Sequence, residues 1–156
     1  MSAYTPEKWI WTEADFDKMG WHDVHIHALA FQSYTLAFDI DYMFRWVDPV
    51  PGETYYKFWM SPATLLFENV SDLRITLEPH GDPIIMGVIR SEPVTASART
   101  TWSWQFDCLE GDIVFRATGY RQFTRRPPAL ASKQFFADSE RGVASFSQAT
   151  PDCQIG

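Results

Sequence analysis

The sequence predicts an all-β protein, mainly antiparallel, folded as a single-domain sandwich or as a curved meander that closes partly into a barrel. Apolar and polar residues alternate with a period of two over most of residues 21–124, as in strands with one face on a core. No amphipathic stretch of roughly 10–15 residues separates any two of these runs, which disfavours parallel β-α-β units. Aromatic residues make up 16% of the 156 residues, a composition typical of strands and of a large aromatic core.

The N-terminal segment, residues 1–20, is predicted to contain one short helix over residues 13–19. Thr12 is a typical N-cap residue, and Asp15 follows it at the spacing of a capping box. Gly20 provides the left-handed conformation that often ends a helix. We therefore expect a single short helix before the sheet begins.

Residues 21–124 are predicted to form the antiparallel sheet, with six to eight strands. The longest alternation runs from Leu36 to Trp46, where every second residue is large and apolar. Gly111 lies in a short hairpin connection, where a glycine tolerates a positive φ. The predicted strands span residues 22–31, 34–47, 55–60, 64–69, 72–79, 84–92, 99–108 and 112–124.

Residues 125–156 are predicted to form an irregular C-terminal tail of the same domain. Pro127 and Pro128 end the last strand, because proline has no N–H group to donate to a neighbouring strand. The apolar pair Phe135-Phe136 is expected to dock back onto the sheet. The whole chain, residues 1–156, is thus assigned to one β domain.

Composition and charge restrict the class of partner. The formal net charge is −7, and residues 1–80 carry 12 acidic against 5 basic side chains. This acidity disfavours nucleic acid, whose phosphates need a positive surface, and suits a basic protein. No stretch approaches the roughly 18 apolar residues of a membrane span, so no membrane partner is expected. Two cysteines and no secretory signal favour reduced thiols and a cytoplasmic location.

Histidine and aspartate residues cluster on the first two long predicted strands. The candidate polar patch comprises His22, Asp23, His25, His27, Asp39 and Asp41. The register of the hairpin decides which of these side chains meet. If the numbers of paired residues sum to 66, Ile26 faces Ile40 and one side of the hairpin becomes apolar, as a core requires.

In that register His25 lies opposite Asp41, and His27 lies opposite Asp39. Imidazole and carboxylate together suit zinc or acid–base chemistry, so these four residues are the candidate ligands if a metal is bound. The alternative, which we favour, is a pair of cross-strand charge interactions on a solvated face, with no metal and no cofactor. Each aspartate should then raise the pKa of its histidine above about 6.5.

Two dense groups of aromatic residues form a candidate binding surface: Tyr56, Trp59, Trp102 and Trp104. Tryptophan and tyrosine are enriched at the energetic centres of protein interfaces. An aromatic core explains the same residues without any binding role. If the sheet closes into a barrel, an apolar ligand would instead be lined by Trp102, Trp104, Phe115 and Tyr120.

Three short segments resemble small bacterial β-rich proteins in which a Trp/Phe-His-Asp motif leads into a strand. The segments are Gly20-Trp21-His22-Asp23-x-x-Ile26, Phe38-Asp39-Ile40-Asp41 and Leu66-Phe67-Glu68-Asn69-Val70-x-x-Leu73, within residues 20–78. Some proteins of this group are immunity proteins of polymorphic toxin systems, and many are uncharacterised. His25 and His27 are not part of that pattern. The resemblance implies a cytoplasmic protein without enzymatic activity that binds another protein.

The sequence contains no recognisable catalytic motif. It lacks a G-x-S-x-G nucleophile elbow, a P-loop and a G-x-G-x-x-G dinucleotide motif, so no catalytic residue is predicted. The favoured hypothesis is a non-enzymatic protein-binding domain, such as an immunity protein that neutralises a basic toxin. The alternatives are a barrel that binds a small apolar ligand and a metal-dependent enzyme that uses the His/Asp patch.

Overall fold

The computed structural model of the chain describes residues 3–154, most of which lie in antiparallel strands. Strands make up about half of the described residues and helices less than a tenth, which confirms the all-β prediction. The helical segments are α1 (Asp138–Arg141) and two 3-10 helices, Glu13–Lys18 and Pro151–Gln154. The strands are β1 (Ile10–Thr12), β2 (Val24–Gln32), β3 (Thr35–Val47), β4 (Lys57–Glu68), β5 (Ser71–Leu77), β6 (Ile84–Arg90), β7 (Val94–Ala96), β8 (Arg99–Cys108), β9 (Gly111–Ala117), β10 (Gly119–Thr124) and β11 (Ala129–Ala131).

Within residues 3–154 the strands form one open sheet in the order β1-β10-β4-β3-β2-β6-β8-β9-β5. β11 pairs with β4 next to β10, and β7 pairs with β8 next to β6. β1 and β5 are the two ends of the sheet, which does not close. The junction between β2 and β6 is short, with the pairs Val24–Ile85 and His25–Ile84. The structure therefore agrees with the meander or sandwich form of the prediction.

A corner joins the two halves of the sheet, where β4 leads into β5 and β9 leads into β10. Glu68 pairs with Gly119 on one side of the corner, and Ser71 pairs with Arg116 on the other. Asn69 lies between them with a positive φ of 54°. The β4–β5 and β9–β10 segments therefore remain neighbours as they pass from one half of the sheet to the other.

Thr118 interrupts the single strand that the sequence predicts over residues 112–124. Its N–H and its hydroxyl both donate to the Glu68 carbonyl, at 3.0 and 3.2 Å, and the Asn69 amide donates to its hydroxyl at 2.9 Å. These contacts fix the corner. The prediction of one strand is therefore wrong, and the segment forms β9 and β10.

β4 runs without interruption through Pro62, although the sequence predicts separate strands over residues 55–60 and 64–69. Proline has no N–H to donate. On one edge of β4, Pro62 lies between the part paired with β11 and the part paired with β10. The carbonyl of Pro62 accepts a hydrogen bond from the N–H of Arg125, the residue directly after β10, at 3.0 Å. The missing donor thus falls at a gap in the pairing, where it costs little.

The N-terminal segment contains the expected short helix, but as a 3-10 helix that follows β1. Asp15 Oδ2 accepts a hydrogen bond from the N–H of Thr12 at 2.9 Å, as in a capping box. The helix ends at Lys18, and Met19 continues in an extended conformation, so Gly20 does not supply a left-handed cap. β1, β7 and β11 were not predicted because three residues are too few to show an alternation.

The segment after Thr124 packs against the sheet instead of leaving it. Phe136 and Thr150 are buried. The hydroxyl of Thr64, on β4, donates to the carbonyl of Ser147 at 2.6 Å. Together with the contacts described below, these interactions cover the face of β3 opposite the core.

Aromatic rings fill the core. Phe67 lies among Trp104, Phe115 and Tyr120, with ring centroids 5.0, 4.7 and 5.4 Å away, respectively. None of the four side chains is more than 1% exposed. Trp104 is therefore a core residue and not part of a binding surface. Phe115 and Tyr120 are likewise packed against other rings and do not line an open barrel.

The hairpin between β8 and β9 requires glycine at position 111. Gly111 has a φ of 143°, and an added Cβ would clash with the carbonyl of Thr76 on β5. We expect Gly111→Ala to lower the free energy of unfolding by at least about 2 kcal/mol in urea denaturation, because backbone strain and the clash add. Gly87→Ala is the matched control, since its added Cβ meets nothing within 4 Å. Equal losses in the two variants would contradict this account of the hairpin.

Candidate functional site

The β2–β3 hairpin begins in the predicted register and then shifts by one residue. Ile26 pairs with Ile40 as expected, but a β-bulge follows, and Ala28 pairs with Asp39. The shift places His27 within hydrogen-bonding distance of Asp41, with 2.7 Å between Nε2 and Oδ2. The predicted pair His27–Asp39 is therefore wrong, because His27 is the extra residue of the bulge. The predicted pair His25–Asp41 is wrong as well, because the Asp41 carboxylate meets His27 instead.

Asp39 and Asp41 are fully buried under the C-terminal segment. The guanidinium of Arg141 lies 2.6 Å from Asp39 Oδ1 and 3.1 Å from Asp41 Oδ1, and its side chain is 1% exposed. Arg125 forms a second ion pair with Asp39 Oδ1, also at 2.6 Å. The expectation of a solvated His/Asp face is wrong. We call Asp39, Asp41, Arg125, Arg141 and His27 the buried carboxylate network.

Two backbone groups of the C-terminal segment complete the hydrogen bonding of these carboxylates. The N–H of Ser145 donates to Asp39 Oδ2 at 3.0 Å, and the N–H of Phe136 donates to Asp41 Oδ2 at 2.7 Å. Side chains and backbone of the same segment thus converge on two residues of β3. The network holds this segment in place.

The carboxylates of the network are ionised at neutral pH. Burial by itself raises the pKa of Asp39, but hydrogen bonds from Arg141 and Arg125 outweigh it and lower the pKa below its ordinary value. Burial likewise opposes ionisation of Asp41, and hydrogen bonds from His27 and the Phe136 N–H again lower its pKa. Buried charges persist only when they are paired and hydrogen-bonded in this way.

His27 bridges the network to a cleft of about 540 Å³, which Asp82, Asp138 and Arg141 also line. Its Nε2 faces Asp41 at 2.7 Å, and its Nδ1 faces Asp82 at 3.1 Å. The imidazole side chain is 7% exposed. A carboxylate next to each ring nitrogen orients the ring, so His27 extends the network toward the surface.

The other members of the predicted polar patch lie apart from the two buried carboxylates. His22 Nδ1 is 2.8 Å from the Met86 carbonyl, and its Nε2 is 3.4 Å from Asp23. Asp23 accepts a hydrogen bond from the Gln134 side chain at 3.0 Å. The structure therefore brings together only three of the six predicted residues, His27, Asp39 and Asp41. Among the side chains that the structure describes, no three from histidine, cysteine or acidic residues converge on a position that would hold a metal ion.

His25 belongs to a different environment. Its ring stacks on Phe135 with centroids 4.5 Å apart. Burial lowers the pKa of His25, and the nearby His27 lowers it further, while Asp82 and Asp41 act weakly in the opposite direction. The expectation of a raised pKa is therefore wrong for His25, because no aspartate pairs with it directly.

The stacked pair lies in an open groove of about 420 Å³ between two segments. One wall is the β3–β4 connection with the ends of both strands, and the other is the chain that follows β11. We call this the aromatic groove, and its lining residues are His25, Trp46, Tyr55, Tyr56, Phe58 and residues 132–135. Trp46, Tyr55 and Tyr56 are 47, 79 and 45% exposed, respectively.

Of the four residues in the predicted aromatic surface, only Tyr56 lines this groove. Trp59 is partly buried and stacks on Tyr4, and Trp102 lies beneath the Arg90 guanidinium, 5.4 Å from its ring centroid. Sequence analysis missed Trp46, Tyr55 and Phe135 as groove residues. The adjacent pair Tyr55-Tyr56 after the Pro- and Gly-containing residues 49–52 was the available signal, because aromatic residues in a loop have no sheet to cover them.

Comparison of the chain with protein-family models, with curated proteins and with solved structures found no match. Within residues 3–154, no helix has the length and apolar character needed to cross a membrane.

The buried carboxylate network predicts a large cost for removing Arg141. Arg141→Ala leaves two buried carboxylates with too few partners, and we expect the free energy of unfolding to fall by about 3–5 kcal/mol. Arg45→Ala, an exposed arginine on the same strand as the carboxylates, should change it by less than about 0.5 kcal/mol. Chemical denaturation at pH 7 measures both variants. A loss below about 1 kcal/mol in Arg141→Ala would show that the network is not needed for stability.

The environment of His25 predicts its titration. In an NMR titration of the imidazole signals, we expect His25 to titrate below the ordinary value of about 6.5. The folded protein then binds fewer protons than the unfolded chain, so this residue's contribution to stability is fully present above about pH 6.5 and declines as the pH falls below it. Phe135→Ala exposes the imidazole ring of His25 and should therefore raise the pKa of His25. A midpoint at or above about 6.5 in the unmodified protein would contradict the assignment.

Proposed function

We propose that the chain is a non-enzymatic protein-binding domain that docks its partner on the aromatic groove. The observation that carries the proposal is the exposure of Trp46, Tyr55 and Tyr56 around one concavity, in a protein whose other large aromatic side chains mostly pack inward. Large aromatic side chains in surface pockets supply much of the binding energy of protein interfaces. Contiguous exposed apolar surface of this kind marks interaction sites.

The rings of the groove are held in position before any partner arrives. Trp46 packs edge-to-face on Tyr56 and on Phe58, with centroids 5.7 and 5.1 Å apart. On the opposite wall, Phe135 stacks on His25. Side chains that are already ordered lose little entropy on binding, so more of the contact energy remains as affinity.

Overall charge favours a basic partner. The chain carries a formal net charge of −7. Asp39 and Asp41 are neutralised inside the protein by arginines of the C-terminal half, so the acidity of the surface is more evenly distributed than the sequence indicates. Long-range attraction of this kind increases the rate of association more than it increases intrinsic affinity.

The resemblance of residues 20–78 to small bacterial β-rich proteins supports a narrower form of the proposal. In that form the chain is an immunity protein in the bacterial cytoplasm, and its partner is a basic toxin that it neutralises by covering a functional surface. Neither nucleic acid nor a membrane is its partner under this proposal.

The two alternative functions have less support from the described residues. Three of the four side chains expected to line a ligand cavity with Trp102, namely Trp104, Phe115 and Tyr120, pack directly on Phe67. An apolar ligand would have to displace these contacts. For a metal-dependent enzyme, Asp39 is already engaged by two arginines, so it would have to exchange these for a cation.

A photo-crosslinking experiment tests the groove. Benzoylphenylalanine replaces Tyr55 in a bacterium that also expresses the products of the neighbouring reading frames. We expect one crosslinked polypeptide of basic composition, because Tyr55 is exposed at the groove. Tyr56→Ala in the same protein should weaken binding of the isolated partner by at least about tenfold, the loss typical of an aromatic anchor.

The matched control places the same crosslinker at Leu109, which is 64% exposed in the hairpin between β8 and β9 and away from the groove. No product is expected there. An identical pattern of products at both positions, or none at Tyr55 when every neighbouring product is present, would reject the groove as a docking site.

A further inference from the structure

Of the four arginines on or directly after β9 and β10, Arg116 is the one that has no ion pair and no ring contact among residues 3–154. Arg121 pairs with Glu68, Arg125 pairs with Asp39, and Arg126 lies over the ring of Phe136. Arg116 instead donates from Nη1 to the Ser103 hydroxyl at 3.0 Å and from Nη2 to the Thr101 hydroxyl at 2.9 Å. Two neutral hydroxyls orient the guanidinium and leave its charge uncompensated.

This guanidinium faces a concavity of about 550 Å³ at the corner of the sheet. Arg99, at the start of β8, lines the same concavity, and within the described residues it forms no ion pair. Tyr34 lies at its rim with 74% of its surface exposed. Asp72 is the acidic residue among the lining side chains, and it is not within ion-pair distance of either arginine. The corner therefore holds two arginines and one carboxylate.

Most of the polar side chains at this corner can donate hydrogen bonds. Each guanidinium presents a planar fork of N–H groups that matches the oxygen atoms of a phosphate or a carboxylate. The Thr101 hydroxyl accepts from Arg116 and so keeps its own proton to donate. The Ser71 hydroxyl also lines the site, where it donates to Asp72 Oδ2 at 3.5 Å. A partly buried charge without a counter-charge is unfavourable, and an anion bound here would remove that cost.

We infer that the corner binds the phosphate group of a small phosphate monoester, through Arg116 and Arg99. A phosphate monoester carries about −1.5 to −2 charges near neutral pH, which matches two guanidinium groups better than a single carboxylate does. The concavity is larger than a phosphate group alone requires, and the exposed ring of Tyr34 offers a stacking surface for an aromatic moiety of the ligand. This site shares no lining residue with the aromatic groove and does not depend on the proposed protein partner.

Phenyl phosphate and benzoate, titrated at constant ionic strength and followed by NMR of the backbone amides, test the inference. They carry the same ring on different anions. We expect saturable binding of phenyl phosphate, with shifts confined to residues 34, 69–72, 99–101 and 116, and at least about fivefold weaker binding of benzoate. Inorganic phosphate should bind at the same residues but more weakly than phenyl phosphate, because it cannot stack on Tyr34.

Four variants distinguish phosphate binding at this concavity from non-specific electrostatic attraction of the anion to the protein. Arg116→Gln should weaken the binding of phenyl phosphate by at least about tenfold. Arg116→Lys should restore only part of the lost affinity, because lysine keeps the charge but lacks the planar fork of N–H groups. Asp72→Asn should strengthen binding about two- to fivefold by removing a like charge. Arg74 is an exposed arginine on β5 outside the concavity, so Arg74→Gln should leave the affinity for phenyl phosphate unchanged.

Three results would overturn the inference. The first is no saturation up to about 50 mM phenyl phosphate, well above the millimolar dissociation constant expected of a small anion on two arginines. The second is equal affinity in Arg116→Gln and in the unmodified protein, with both folded as judged by their amide spectra. The third is benzoate bound as tightly as phenyl phosphate, which would exclude a site built for phosphate.

Discussion

The rest of the structure depends on two carboxylates buried next to each other on β3. Asp39 and Asp41 point away from the aromatic core, yet neither is exposed to solvent. Taking a carboxylate out of water costs several kcal/mol unless cations and N–H groups replace the lost hydration. Here Arg125, Arg141 and His27 supply charged or polar partners, and the C-terminal backbone supplies further donors. The C-terminal segment must therefore pass back across β3 after the last strand, because it supplies these partners.

The binding of the C-terminal segment to these buried carboxylates also forms one wall of the aromatic groove. The N–H of Phe136 donates to Asp41, and the residue before it, Phe135, stacks on His25 and forms one wall of the groove. The other wall comes from the β3–β4 connection, which is fixed by the pairing of the two longest strands. A surface proposed for binding is thus held by buried charges on one side and by strand pairing on the other. The corner with Arg116 is positioned independently, by the contacts of Thr118.

Local patterns in the sequence were sufficient to predict most of the sheet. The alternation from Leu36 to Trp46 identified β3, and the Gly111 connection identified the β8–β9 hairpin. They failed where a single residue alters the geometry. The bulge after Ile26 has no signature in composition, and it changes which histidine meets Asp41. The sequence predicted two strands on either side of Pro62, but β4 is continuous, because a gap in the pairing with β10 and β11 accommodates the proline.

The candidate site was harder to predict than the fold because its partners are far apart in sequence. Arg141 lies about a hundred residues from the carboxylates that it binds, and no spacing rule connects them. Alternation alone placed Asp39 and Asp41 on the face opposite the core, which is correct. It also suggested that this face is solvated, which is wrong, because alternation cannot reveal that a second segment covers the strand.

Native-state hydrogen exchange of two amides tests the central claim most directly. The N–H groups of Phe136 and Ser145 donate to the buried carboxylates, so they exchange only when the C-terminal segment leaves β3. If the network ties this segment to the sheet, their opening free energies at pH 7 will lie within about 1 kcal/mol of the slowest amides of β3. Opening free energies several kcal/mol lower would show that the segment detaches while the sheet stays folded, and would contradict this account.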